Sequence, residues 1–315
     1  MTATGDDLAQ LIAAELDSPV PRGAQLVAER IRARHGDGVR AIVFYGSCLR
    51  TGDDEFSLLD LYVLVDSYWT LGTSRLYAAL NALLPPNVYY TEFADGERTL
   101  RAKYAMVTVD DFARHTAART FQPYFWGRFA QPCALVYAAD AAAAQAVTDA
   151  FADAVTTFVR NALPLVAMPC AVRTLWTTQL RESYRAELRA ERLDVAERLY
   201  DAATTRYERV TRAALARLPY TPTPDVIGGI LQLPARPASP RAASLWRARR
   251  IWGKWLSLLR ILKSALTQEG SVDYALWKVE RHSGVQIDKT WRQKPHPLLA
   301  LGEELWRIYR KGAFR

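Results

Sequence analysis

Hydrophobic and polar positions divide the chain into stretches of two different periods. Between residues 6 and 34 the apolar positions Leu8, Leu11, Ile12, Leu16, Leu26, Val27 and Ile31 recur at helical spacing. A Pro-Val-Pro break at residues 19–21 splits this stretch into two short predicted helices. Two brief apolar runs follow, residues 41–45 and 58–65, each bounded by turn residues and read as buried strands. The polar segment between them carries Gly46, Ser47, Gly52 and the successive acids Asp53, Asp54 and Glu55. Residues 68–84 return to a helical period through Leu71, Leu76, Leu80 and Leu83 and end at Pro85-Pro86. Residues 88–93 and 98–109 are predicted strands around the turn at 94–97, where Asp95-Gly96 is a hairpin signal. Asp110, Asp111 and Phe112 open a helix, since acids favour a helix N-terminus, and residues 134–137 form another strand.

Beyond residue 138 the pattern is helical as far as 234, with Pro164 and Pro169 as punctuation and Glu and Arg spaced three or four apart on exposed faces. A Pro-rich stretch at 233–241 reads as a linker or exposed loop. After it, Leu245, Trp246, Ile251, Trp252, Trp255, Leu256, Leu259, Leu262 and Leu266 are interleaved with Arg247, Arg249, Arg250, Lys254, Arg260 and Lys263. Such a helix suits a membrane interface, where cations meet anionic headgroups and indoles sit at the acyl boundary. It equally suits a helix docked on the protein with Trp and Leu as core.

The succession predicts an α+β fold: a mixed-sheet domain at 1–138, a helical domain at 139–234, and a basic, Trp-rich region at 235–315 that is a candidate membrane-binding segment. Charge changes this picture only at the C-terminal end. The formal net charge is +8, yet residues 241–315 hold 16 Lys and Arg against 6 Asp and Glu, which points to a polyanionic partner there. No apolar run approaches the ~20 residues of a membrane span. The N-terminal segment lacks the basic start of a secretory signal. The cysteines Cys48, Cys133 and Cys170 have neither metal-ligand spacing nor an even count, so a reducing cytosol is expected, and the Ala- and Arg-rich composition suits a bacterial genome. No Walker-type loop, Ser-His-Asp arrangement or histidine metal set occurs in the sequence.

Candidate chemistry gathers at residues 41–66. Gly46-Ser47 at a strand end lets backbone approach a phosphate, although the same pair serves as a plain turn. Asp60 is a lone carboxylate among Leu and Val, and a hard divalent cation is one reason to place it there. Tyr62 shares its strand face but is a poor magnesium ligand; Asp66 lies about 20 Å further along the strand. Asp53 and Asp54 in the intervening loop are weak candidates for a second metal ligand. Arg128 offers bidentate phosphate recognition or, alternatively, an ion pair with Asp110 or Asp111. For Phe121, Tyr124, Phe125 and Trp126 the plain account is core packing.

A strand ending in Tyr45-Gly46-Ser47, an acidic loop and a second strand bearing Asp60 resemble the nucleotidyltransferases of the DNA polymerase beta superfamily. Their usual Asp-x-Asp is Asp60-Leu61-Tyr62 here. With Tyr89-Tyr90, Asp95-Gly96, Lys103-Tyr104 and Gly127-Arg128 followed by Pro132, the ordered set over residues 41–138 resembles the mitochondrial-type phosphatidate cytidylyltransferases of the translocator assembly and maintenance family. The resemblance implies magnesium-dependent transfer of CMP from CTP to phosphatidic acid, yielding CDP-diacylglycerol and pyrophosphate. It implies Asp60, Lys103 and Arg128 as catalytic residues; Tyr45, Gly46 and Ser47 as the nucleotide-binding element; and Asp60 with Glu92 as metal ligands. It also implies a cytoplasmic enzyme bound peripherally to the inner face of the membrane through anionic lipid. Alternatives are a nucleotidyltransferase with another acceptor and an inactive nucleotide- or lipid-binding module. A nucleic-acid partner for the basic tail is open but not favoured.

Overall fold

The computed structural model describes residues 7–52, 58–70, 75–96, 98–187, 194–220 and 225–267. The described residues up to 262 form one compact unit, and 263–267 fall outside it. The expectations placed on Asp53, Asp54 and Glu55, and on the part of the basic, Trp-rich region beyond residue 267, lie outside the described residues.

The chain opens with α1 (Leu8–Leu16), whose N-terminus Asp7 caps by accepting from the Ala9 amide, and α2 (Arg22–His35), which follows the Pro-Val-Pro break. Strand β1 (Val39–Tyr45) leads through Gly46 into the short helix α3 (Ser47–Thr51), and β2 (Leu58–Val65) returns antiparallel to it. Helix α4 (Arg75–Leu83) precedes the hairpin of β3 (Asn87–Asp95) and β4 (Arg98–Thr108), which turns at Gly96. Then come α5 (Val109–Thr116), the single turn α6 (Trp126–Phe129) and β5 (Ala134–Ala138). The five strands form one mixed sheet in the order β3-β4-β2-β1-β5, in which only the β2–β4 pair is parallel.

Both faces of this sheet are covered, which is why β2 reads as an almost unbroken apolar run rather than an alternation. Side chains alternate across the pleat. Ile42, Phe44, Leu59, Leu61, Val63 and Tyr104 pack on Ala24, Val27 and Ile31 of α2. Val43, Tyr62, Leu64, Ala105 and Val107 belong to the larger core on the other face, with Phe125, Trp126 and Phe129. Of the aromatic run at 121–128, Phe125 and Trp126 supply core and Tyr124 packs against it, as the plain account holds, whereas Phe121 is exposed.

That core continues into α7 (Ala141–Ala162), α8 (Val172–Arg185), α9 (Val195–Asp201) and α10 (Thr204–Ala216). Phe158 stacks on Trp176 with centroids 4.3 Å apart, and the Trp176 indole donates to Thr211 Oγ1 at 2.7 Å, so this large aromatic is buried without an orphaned N–H.

The stretch 139–234 is not helical throughout. Strands β6 (Met168–Ala171), β7 (Asp225–Ile227) and β8 (Ile230–Arg236) form a second, antiparallel sheet in the order β6-β8-β7. The β7–β8 hairpin turns on Gly228 and Gly229, both at positive φ, a conformation that glycine alone adopts without strain. Residues 233–236, expected in a linker, belong instead to β8, whose Arg236 lies opposite Met168 of β6. Among the described residues the β7–β8 pairing reaches no further than Gln232, so Pro234 takes no ladder hydrogen bond from β7. Helix α11 (Pro240–Thr267) begins directly afterwards, with Pro240 in the first turn, where its missing N–H costs nothing.

Candidate functional site

Four side chains form a row across the sheet. Strand register sets Tyr45 of β1 opposite Asp60 of β2, Asp60 opposite Lys103 of β4, and Lys103 opposite Tyr90 of β3. Adjacent strands lie about 4.8 Å apart, so register alone brings these residues to one place on one face. Lys103 Nζ stands 3.1 Å from Asp60 Oδ1. Asp60 Oδ1 is buried and accepts no hydrogen bond among the described residues; the contact with Lys103 is electrostatic rather than a well-aligned hydrogen bond.

Gly46 closes the row from above. Its φ is +95°, and a Cβ built there would lie 3.0 Å from Asp60 Oδ2. Backbone conformation and close approach thus both require glycine, a stronger constraint than an ordinary turn imposes. Cys48 Sγ donates to the Leu58 carbonyl at 3.3 Å, tying α3 to the start of β2. Ser47 is exposed at the head of α3. The Tyr45 phenol is raised far above its ordinary pKa by burial, and then by the Asp60 carboxylate, so it stays neutral.

Tyr62 does share the Asp60 face, but it turns into the core. Its ring meets Phe129 edge-on at 4.8 Å, and its hydroxyl accepts from Arg128 Nη1 at 3.3 Å. Arg128 is only 9% exposed and pairs with Glu187, 11% exposed, at 3.0 Å. It also donates to the Tyr124 carbonyl at 3.2 Å and lies 4.3 Å over the Tyr124 ring. Burial opposes its charge, but Glu187 and the surrounding tyrosines outweigh burial and hold it protonated. The partner of Arg128 is therefore Glu187 rather than Asp110 or Asp111. Asp111 is instead engaged by the Tyr68 hydroxyl at 2.9 Å and by Arg114.

The structure does not join Glu92 to Asp60. Glu92 lies opposite Arg101, in the neighbouring row, two residues along β3 from Tyr90. Two strand spacings and two residues of rise put the Cα atoms of Glu92 and Asp60 about 12 Å apart. The Glu92 carboxylate accepts from the Tyr90 hydroxyl at 2.8 Å and lies 3.6 Å from Arg101 Nε. Among the described residues no group of three or more His, Cys, Asp or Glu could hold a metal ion. Among the described residues Asp60 alone offers a carboxylate oxygen lacking a hydrogen bond at this place. A single carboxylate would fit a largely hydrated magnesium ion. It does not fit an all-protein cage.

Sequence reading missed Glu187 because it falls at the end of a Glu- and Arg-rich helix whose charges looked solvated. Missed too was the reach of α11. Arg260, from a different element than Arg128, lies 4.1 Å over the Tyr124 ring and donates to the Pro85 carbonyl at 2.9 Å. Tyr124 is buried, which raises its pKa, but Arg128 and Arg260 outweigh burial and lower it.

No protein-family model matches the chain, and no curated protein matches it.

Helix α11 docks by an unusual face. Trp246, Arg249, Gly253 and Ser257 point inward, while Leu245, Ile251, Trp252, Trp255, Leu258 and Leu259 are exposed, Trp252 by 55% and Trp255 by 60%. Arg249 anchors the docked side, donating to the Phe121 carbonyl at 2.9 Å and to Asn161 Oδ1 at 2.7 Å. Burial lowers its pKa to about 10. Arg250 pairs with Glu182. Gly253 is where the helix touches α8, since a Cβ there would come within 2.2 Å of the Ala186 carbonyl oxygen. The two faces differ: Trp246 is core, and the outward stripe is apolar with Arg247 and Lys254 exposed beside it. Among the described residues no helix is long and apolar enough to cross a membrane.

Proposed function

We propose that the chain is a nucleotidyltransferase that moves CMP from CTP to phosphatidic acid, releasing pyrophosphate and leaving CDP-diacylglycerol. The observation that carries this reading is Gly46 pressed on the Asp60 carboxylate beside Lys103. A strand-end turn able to approach phosphates, a carboxylate and a cation then meet at one end of the mixed sheet. CTP and phosphatidic acid as the substrates come from the resemblance over residues 41–138.

In the reaction a phosphate oxygen of the lipid bonds to the α-phosphorus of CTP, the bond from that phosphorus to the β-bridging oxygen breaks, and the electron pair leaves with pyrophosphate. The protein's share is positioning and charge neutralisation. Gly46 and Ser47 hold the triphosphate at the end of β1. Asp60 is the residue to hold magnesium, which when bound neutralises charge on the phosphate oxygens. Lys103 exchanges its contact with Asp60 for a phosphate oxygen. Arg128, braced by Glu187, Tyr62 and Tyr124, fixes the floor beneath the row and adds positive potential. The exposed stripe of α11, with Arg247 and Lys254, seats the enzyme on an anionic lipid surface, where its acceptor resides.

One observation favours a second reading, an inactive nucleotide- or lipid-binding module: Lys103 and Arg128 are both paired with carboxylates, and Asp60 has no second acid beside it among the described residues. Pyrophosphate release separates the two. It is to be measured with magnesium and each nucleoside triphosphate, in micelles with and without phosphatidic acid, for wild type and Asp60→Asn. Release that needs CTP and phosphatidic acid and disappears in the variant supports catalysis. CTP binding without release by wild type supports the module.

A further inference from the structure

Arg50 reaches back from α3 so that its Nη1 donates to the Gly46 carbonyl at 3.0 Å. Gly46 in turn touches Asp60, so the Arg50 guanidinium is fixed about one residue's breadth from the carboxylate of the row. The side chain is exposed, and among the described residues it forms no ion pair and no other hydrogen bond. Lys103 and Arg128 at this end of the sheet are each set against a carboxylate. A guanidinium with one nitrogen held by a carbonyl keeps the rest of its planar fork oriented, an arrangement suited to a phosphate rather than to a point charge.

We infer that Arg50 contacts the β- and γ-phosphates of the bound nucleoside triphosphate and stays with them as the departing pyrophosphate. The inference rests on the nucleotidyltransferase reading and adds to it a residue outside the set drawn from the resemblance. The rival role is structural: Arg50 does no more than hold the Gly46 carbonyl.

Arg50→Gln separates the two, because the amide keeps an N–H donor for the Gly46 carbonyl but loses the charge. Inorganic pyrophosphate, CTP and CMP are titrated calorimetrically into wild type, Arg50→Ala, Arg50→Gln and Arg50→Lys at fixed ionic strength, with melting temperatures recorded alongside. Loss of a charge-assisted hydrogen bond of this kind weakens binding roughly 10- to 100-fold. Pyrophosphate and CTP are expected to weaken by that amount in Arg50→Ala and Arg50→Gln and to recover partly in Arg50→Lys, while CMP stays within about twofold. Arg50→Gln carries the decision if Arg50→Ala melts early. Arg50→Gln binding pyrophosphate as tightly as wild type overturns the phosphate role alone and leaves nucleotide binding standing. Wild type binding neither CTP nor pyrophosphate overturns both the inference and the reading beneath it.

Discussion

Lys103 Nζ and Asp60 Oδ1 lie 3.1 Å apart on the two neighbouring parallel strands of the sheet. Each is partly exposed, so solvent screens the pair and its contribution to folding is expected to be small. Asp60→Asn should therefore change unfolding free energy by no more than about 1 kcal/mol, measured in urea, while removing nucleotidyl transfer. Loss of several kcal/mol would recast Asp60 as a structural residue.

The Arg128–Glu187 pair is expected to behave in the opposite way. It is almost fully buried, and removing one member leaves an uncompensated charge, which typically costs about 3–5 kcal/mol. Glu187→Gln and Arg128→Met should each show a loss of that order by denaturant melts. The double variant Arg128→Met/Glu187→Gln should lose less than the two single losses combined, because no charge is left unpaired. Strict additivity would deny the coupling.

Gly46→Ala meets two obstacles at once, a φ of +95° and the Asp60 oxygen 3.0 Å away. Backbone strain of this type costs about 1–3 kcal/mol. Gly52 has φ +69° but nothing within 4 Å of its built Cβ, and it serves as the control. Gly52→Asn should melt within a few degrees of wild type, whereas Gly46→Ala should melt lower and bind nucleotide poorly. Equal melting of the two would remove the close approach as a constraint.

His35, at the end of α2, has its pKa lowered from 6.5 to about 4 by burial and then by Arg34, and its Nε2 is 3.0 Å from the Tyr104 hydroxyl. The folded protein therefore binds this proton less readily than the unfolded chain does. The stability contributed by neutral His35 is present above pH 6.5 and is lost as pH falls from there toward 4. Urea melts of wild type and His35→Gln across that window should converge at acid pH. A gap that widens on acidification would reverse the sign.

On α11 the inward and outward tryptophans should separate cleanly. Trp246→Ala removes a buried ring and is expected to cost about 3–5 kcal/mol. Trp252→Ser and Trp255→Ser should leave the melting temperature nearly unchanged but reduce sedimentation with vesicles containing phosphatidic acid. Undiminished vesicle binding in that double variant would discharge the outer stripe from the lipid role.

Much of the sheet was legible because its strands are short, apolar and punctuated. Residues 58–65 are β2 as expected, and Asp95-Gly96 marks the β3–β4 hairpin. The Gly228-Gly229 turn carried the same kind of signal between Val226-Ile227 and Ile230-Leu231, but the Glu- and Arg-rich helices before it dominated the reading. The row around Asp60 was legible in part. Tyr45, Gly46 and Lys103 arrive there by strand register, whereas Glu92 falls in the next row because hairpin pairing puts it opposite Arg101. Glu187 was out of reach, since nothing local in a solvated-looking helix says that it meets Arg128, 59 residues away in sequence. The period of α11 announced a stripe but not its direction. Docking chose the side with Gly253, since only glycine lets that helix meet the Ala186 carbonyl.

The most direct test follows the α-phosphorus itself. CTP labelled at the α-phosphate is incubated with magnesium, the full chain and vesicles containing phosphatidic acid, and the organic extract is assayed for label, with Asp60→Asn and γ-labelled CTP as controls. Transfer of CMP to the lipid carries α-label, and no γ-label, into the organic phase, only when phosphatidic acid is present and only with Asp60 intact. Label that stays wholly in the aqueous phase while CTP binds would contradict lipid cytidylyl transfer by this chain.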